Sequence, residues 1–233
     1  YTDTNGVFIA AGRANDQVIY DVKKEGSYKT EGMYQFYRRG EECVRDCRWI
    51  PWNPTNAVVL KERRSPISMF AMKVDVAIPL RDTPIGFDCG VGDWVAPYGK
   101  GSRTDFSFTY RSDIKDFWTG RKELTIACTN QMDGFCRVQK DTWSEFVSVY
   151  EAPDNGYSGT VNLILDATKD RVLKSEGITD LEYLVFRVRA VIDEKGKIIQ
   201  ANYGKVYGRV EYGVGEALDR LRFTYYLNPT PND

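Results

Sequence analysis

Between Asp180 and Gly213 apolar and polar residues alternate along two successive runs. Leu184, Phe186, Val188, Ala190 and Ile192 alternate with Val185, Arg187, Arg189, Val191 and Asp193. A period of two over this length predicts a β-strand. Asp193-Glu194-Lys195-Gly196 supplies the turn, and Gly196 can take the positive φ that a type I turn with a G1 bulge requires. Pairing Asp193 with Lys197 sets a register. On one face Ile192 opposes Ile198, Ala190 opposes Gln200, Phe186 opposes Gly204 and Leu184 opposes Val206. On the other, Val191 opposes Ile199, Arg189 opposes Ala201, Arg187 opposes Tyr203 and Tyr183 opposes Tyr207. The first face is apolar and predicts a core contact, while the second is mixed and predicts a wet or loop-covered surface. Phe186 is expected to cover Gly204, and Arg187 to lie on Tyr203 as a cation–π pair. Tyr203-Gly204, Tyr207-Gly208 and Tyr212-Gly213 recur on the return strand. They read as a long strand coiling at its glycines with tyrosines finishing the outer sheet face; the alternative is a strip offered to a sugar ring.

The same alternation marks Ser68 to Leu80, Asp105 to Arg111, Glu123 to Thr129, Phe135 to Gln139, Thr142 to Glu151, Gly159 to Ala167 and Leu218 to Leu227. Shorter runs at Val7 to Ala11, Gln17 to Val22 and Ala57 to Lys61 join them, and Ser27 to Arg39 is ambiguous. Glu41 to Arg48 and Thr168 to Gly177 tolerate a helical turn. Pro51 and Pro54 force Trp49 to Pro54 to be irregular. Thr83 to Arg103 is a long glycine-rich connection, either functional or hiding a short strand near Trp94-Val95. So many one-sided strands joined by turns predict an all-β protein: an antiparallel two-sheet β-sandwich, jelly-roll-like, with long strands and little helix. The expectation is a single domain over residues 1–233, less regular over 1–66, with 228–233 a tail or linker.

The 233 residues suffice for one large β domain. Thirty-two basic against 33 acidic side chains leave a net charge of −1, so nothing calls for nucleic acid. No apolar run reaches the roughly 18 residues of a membrane-spanning helix. The first residue is Tyr1 rather than Met, which fits a removed signal or lipoprotein leader and equally a piece excised from a longer chain. Of five cysteines, Cys128 and Cys136 flank a presumed hairpin loop with Asp133-Gly134 at its tip and are expected to form a disulfide. Cys43 and Cys47 can pair with each other or with Cys89. Disulfides would favour an exported protein, and the absence of any acceptable N-x-Ser/Thr sequon favours a bacterial periplasm or cell surface.

The chain has no histidine. That removes Ser-His-Asp and Cys-His nucleophile systems and every His-ligated zinc site. Gly90-Val91-Gly92 and Tyr98-Gly99-Lys100-Gly101-Ser102 lack the spacing of phosphate-binding loops. Ser112-Asp113-Ile114-Lys115 matches S-x-x-K without its companion motifs. The aspartates do not match a calcium loop, and no metal or cofactor is expected. Carboxylates remain for a glycosidase, with Asp88, Asp93, Asp105, Glu145, Glu151 and Glu211 in or near loops and strands, but none form a compact acidic pair. The sharpest candidate is the glycine-rich loop: Asp93, Trp94, Tyr98, Arg103 and Asp105, with Trp118 close after, combine rings and hydrogen-bonding groups suited to a sugar. Trp94 and Trp118 plugging one end of the sandwich is the structural alternative. The reading is an exported, non-enzymatic binding module for carbohydrate. The alternatives are an envelope component making protein–protein contacts and a carboxylate-based carbohydrate-active enzyme.

Overall fold

The computed structural model describes residues 1–37, 44–45, 48–115, 119–213 and 219–232. They form two compact units, Tyr1–Arg64 with Asp141–Ser148, and Ser65–Lys140 with Val149–Asp233. Among the described residues there is no helix, so none is long and apolar enough to cross a membrane.

The first unit holds the hairpin β1 (Gln17–Val22) and β2 (Thr30–Gln35) and the short pair β3 (Val44–Arg45) and β4 (Arg48–Trp49). Its described part of the Glu41 to Arg48 stretch is strand, not helix. Val7 to Ala11 and Ala57 to Lys61 form no strand, though the Lys61 carbonyl accepts from the Tyr28 N–H at 2.8 Å beside an isolated Ser27–Glu62 bridge. Thr142 to Glu151 also alternates without becoming a strand. It runs as turns instead, and Lys61 holds it through Asp141 at 2.9 Å and the Phe146 carbonyl at 2.7 Å.

The second unit is the antiparallel β-sandwich. One sheet joins β10 (Gly134–Gln139), β13 (Glu182–Ile192), β14 (Ile198–Tyr212), β15 (Arg220–Leu227) and β5 (Phe70–Ala77), in that order. The other joins β12 (Val172–Glu176), β11 (Thr160–Ala167), β9 (Gly120–Cys128), β8 (Phe106–Ile114), β6 (Ile85–Asp88) and β7 (Asp93–Trp94). β12 stands where a helical turn was expected, because Val172 to Glu176 pairs back onto β11. The core lies between the sheets. Leu184, Phe186 and Val188 of β13 and Phe223 and Tyr225 of β15 meet Phe87, Phe106 and Phe108 from the opposite sheet. Burial of each such ring contributes about 1.5–3 kcal/mol.

The long hairpin forms with the expected turn. Asp193 N–H donates to the Lys197 carbonyl at 2.9 Å, and Gly196 sits at φ 78°. Leu184, Phe186 and Arg187 oppose Val206, Gly204 and Tyr203 as expected, but Val191 opposes Gln200. An extra residue on β13 near Arg189 is offset by one on β14 near Ile199, so the register is restored at Ile192. The expected cation–π pair is corrected: Arg187 lies over Tyr157, 4.2 Å from its ring centroid, rather than over Tyr203. Phe186 does cover Gly204. A Cβ there would fall against the Phe186 ring and the Tyr226 carbonyl oxygen. Gly204→Ala is therefore expected to destabilise the sandwich by about 1–3 kcal/mol in a denaturant titration. An unchanged midpoint would contradict this packing.

The expected Cys128–Cys136 disulfide is not formed. Both are free thiols, as is Cys89. Cys128 ends β9 in one sheet and Cys136 lies in β10 of the other, because residues 129–133 cross between sheets instead of closing a hairpin. Burial pushes the Cys128 thiol up to about 12, so it is a poor nucleophile. Cys43 and Cys47 lie outside the described residues. The end of the chain is docked: Asn228 N–H donates to the Tyr203 carbonyl and Asn232 N–H to the Ala201 carbonyl.

Candidate functional site

The glycine-rich loop contains the short strand expected near Trp94, and its polar groups turn inward. Asp93 accepts from the backbone N–H of Trp94 at 2.8 Å and of Lys100 at 3.0 Å. Trp94 is 2 % exposed; its indole N–H donates to the Ala77 carbonyl, and its ring packs edge-on against Phe87 and Phe108. Its faces are core surface, as in the plug alternative. Tyr98 is 45 % exposed and is the one ring of this loop offered to solvent. Arg103 is exposed and stands 3.7 Å from Asp105. Trp118 lies outside the described residues. The loop thus brings Arg103 and Asp105 together and separates Trp94 from the surface.

The buried carboxylates of this loop serve one distant side chain. Asp105 accepts from the Cys89 N–H at 3.0 Å and from Arg189 Nε at 2.9 Å and Nη2 at 2.8 Å. Asp88 accepts from the N–H groups of Gly90, Ser102 and Arg103 and, at 3.4 Å, from Arg189. Burial pushes the Asp88 carboxyl up, but these N–H groups and the Arg189 charge together hold it below the usual carboxylate range. Arg189 itself sits at φ 60° in the bulge of β13, a conformation that costs an ordinary L-residue about 1 kcal/mol. Asp133 holds it there, with one oxygen accepting from the Arg189 N–H at 3.0 Å and the other from the Ala190 N–H at 2.9 Å. Burial pushes the Asp133 carboxyl up against the pull of those two donors. The arrangement is a staple that ties the loop to the hairpin.

A different surface is open. Among the described residues, the face of the five-stranded sheet opposite the core is covered over β13, where Tyr157 stacks on Arg187 and the Val149 N–H donates to the Tyr183 hydroxyl. Over β14, β15 and β5 it carries the exposed Tyr207 and the half-buried Tyr203 and Tyr226, with charged neighbours. The register sets them in successive rows: Tyr203 opposes Arg187, Tyr226 opposes Lys205, and Tyr207 opposes Thr224, which in turn opposes Lys73. Four residues along one strand place Tyr203 and Tyr207 roughly 13 Å apart, with Tyr226 between them on the next strand. Lys140 lies 5.1 Å from the Tyr207 ring and Lys205 5.6 Å from Tyr226, contacts that orient both rings. Beside Tyr207 a shallow depression of about 450 Å³ is lined by Lys73, Asp75, Arg209, Glu211, Arg222 and Thr224. Asp75 accepts from Arg220 and Arg222, whose hydrogen bonds hold its carboxyl below the usual range. Tyr203-Gly204 and Tyr207-Gly208 were the sequence signal for this face, whereas Tyr212 of the third Tyr-Gly pair packs against the core beside Tyr110; the charged half comes from strands far apart in the chain.

No protein-family model matches the chain, and no curated protein or solved structure matches it significantly.

Proposed function

We propose that the sandwich is a non-enzymatic binding module that takes carbohydrate across the open outer face of its five-stranded sheet. The supporting observation is the zigzag of Tyr203, Tyr226 and Tyr207 beside hydrogen-bonding side chains. Tyrosine rings stack on the apolar face of a pyranose, and neighbouring polar groups take its hydroxyls. Export to a bacterial periplasm or cell surface belongs to the proposal. Given export, the absence of a sequon favours a bacterial envelope over a eukaryotic secretory route; the three described cysteines are free.

A glycan array tests this. The chain should bind a defined set of glycans, and Tyr207→Ala should weaken the best of them by about tenfold or more. Absence of any hit overturns the proposal. A second reading, an assembly component making protein contacts, draws on the hairpin tip, where Val191, Ile192 and Ile199 are all exposed. That reading predicts self-association or a protein partner on size exclusion and no glycan.

A further inference from the structure

We infer that the ligand of this face is a polyuronate, an anionic polysaccharide whose sugars carry carboxylates. The inference rests on the carbohydrate reading above and adds its chemical class.

The charge on the face departs from that of the chain. The whole chain is balanced, at −1. Around the tyrosines, Lys73, Lys140, Lys205, Arg209, Arg220 and Arg222 stand against Asp75, Asp180 and Glu211. Six basic side chains against three acidic ones give this face a net positive charge on a chain whose total is −1.

The partners of these charges sharpen the point. Arg209 and Asp180 satisfy each other through two hydrogen bonds, at 3.1 and 2.8 Å. Arg220 and Arg222 share the single carboxylate of Asp75, both through Oδ1. Two guanidinium groups thus share one carboxylate, with Glu211 opposite Arg222 on β14 as the nearest further acid in the register. Lys73 makes no ion pair among the described residues. It opposes Thr224, and Arg222, two residues before Thr224 on β15, lies opposite Asp75. The two cations are therefore diagonal neighbours, on the same row or the next row from Tyr207. A sugar stacked on Tyr207 would carry its carboxylate toward this pair, where an Arg supplies planar N–H donors and a Lys a mobile one.

The acids of the depression select among anions. Asp75 and Glu211 are acceptors, and a uronic acid brings hydroxyl donors to them along with its carboxylate. A DNA strand brings phosphates without sugar hydroxyls, and those phosphates would face the same two carboxylates.

The test is titration calorimetry of the whole chain with polygalacturonate, its methyl-esterified form, a sulfated glucan and oligo-dT. The acid polymer should bind, more weakly as salt rises. The esterified polymer should bind about tenfold less tightly. Lys73→Ala, an exposed change, should weaken the acid polymer by about tenfold and leave the ester unchanged. Equal affinity for acid and ester overturns the polyuronate assignment while leaving the carbohydrate face standing. Tighter binding of the sulfated glucan or of oligo-dT overturns it in favour of another anion. No binding to any sugar overturns both readings.

Discussion

Replacing Arg189 with methionine is expected to destabilise the sandwich by about 3 kcal/mol, read as a shift of the denaturant midpoint. The Arg189 side chain is the cation that faces both Asp88 and Asp105, whose side chains are 5 % and 1 % exposed. Removing it strands two carboxylates in a site from which water is largely excluded. Asp88 keeps three backbone N–H donors, which moderates the loss, whereas Asp105 keeps only the Cys89 N–H and the more distant Arg103. Arg189→Lys is expected to restore little, because Asp105 is gripped by two nitrogens of one planar group. Arg189→Gly should be about 1 kcal/mol less destabilised than Arg189→Met, since glycine adopts the positive φ of the bulge without strain. If methionine were tolerated without loss, the staple would not hold the loop.

The second large effect belongs to Asp133. Asp133→Ala leaves the N–H groups of Arg189 and Ala190 without their acceptor, each worth about 1–3 kcal/mol when buried and unpaired. The expected loss is about 2–4 kcal/mol, and Asp133→Asn, which keeps one acceptor oxygen, should lose about half of that. Because Asp133 positions the bulge from which the Arg189 side chain departs, the two changes act on one unit. The double variant Arg189→Met with Asp133→Ala should therefore fall short of the sum of the singles. Strict additivity would show that the bulge and the ion pairs are independent.

These two residues also explain why part of the hairpin register was invisible beforehand. The turn at Asp193 to Gly196 and the pairings Phe186–Gly204 and Leu184–Val206 follow from local chemistry and period-two alternation, and they are where the pattern put them. The bulge at Arg189 depends on a carboxylate 56 residues away in the sequence, so no local rule reports it. The same holds for Cys128 and Cys136, whose short connection looked like a hairpin but passes between sheets. Trp94 sits among glycines, prolines and charges that read as surface. Its burial depends on the Ala77 carbonyl of another strand and on rings from β6 and β8. Thr142 to Glu151 alternates well yet makes only an isolated bridge, from Ser144 to Thr30 of β2, among the described residues, because alternation specifies a face and not a partner.

The candidate ligand face was half visible. Tyr203 and Tyr207 announced themselves by their repeated Tyr-Gly context, and their place on the outer face follows from the hairpin register. What was hidden was their company. Arg220 and Arg222 meet Asp75 across separations of 145 and 147 residues, and Lys73 joins Tyr207 only because β5 and β14 both flank β15. The polar half of the site is thus a product of sheet order, which residue spacing does not encode.

The proposed ligand surface is the tyrosine face and not the loop from Asp88 to Asp105. It is tested most directly by comparing the glycan affinity of Tyr207→Ala with that of Tyr98→Ala, since both replace an exposed ring and neither touches the core. Loss of about tenfold or more in Tyr207→Ala, with Tyr98→Ala unchanged, is the predicted result. Loss in Tyr98→Ala with Tyr207→Ala unchanged would contradict it and return the site to the loop.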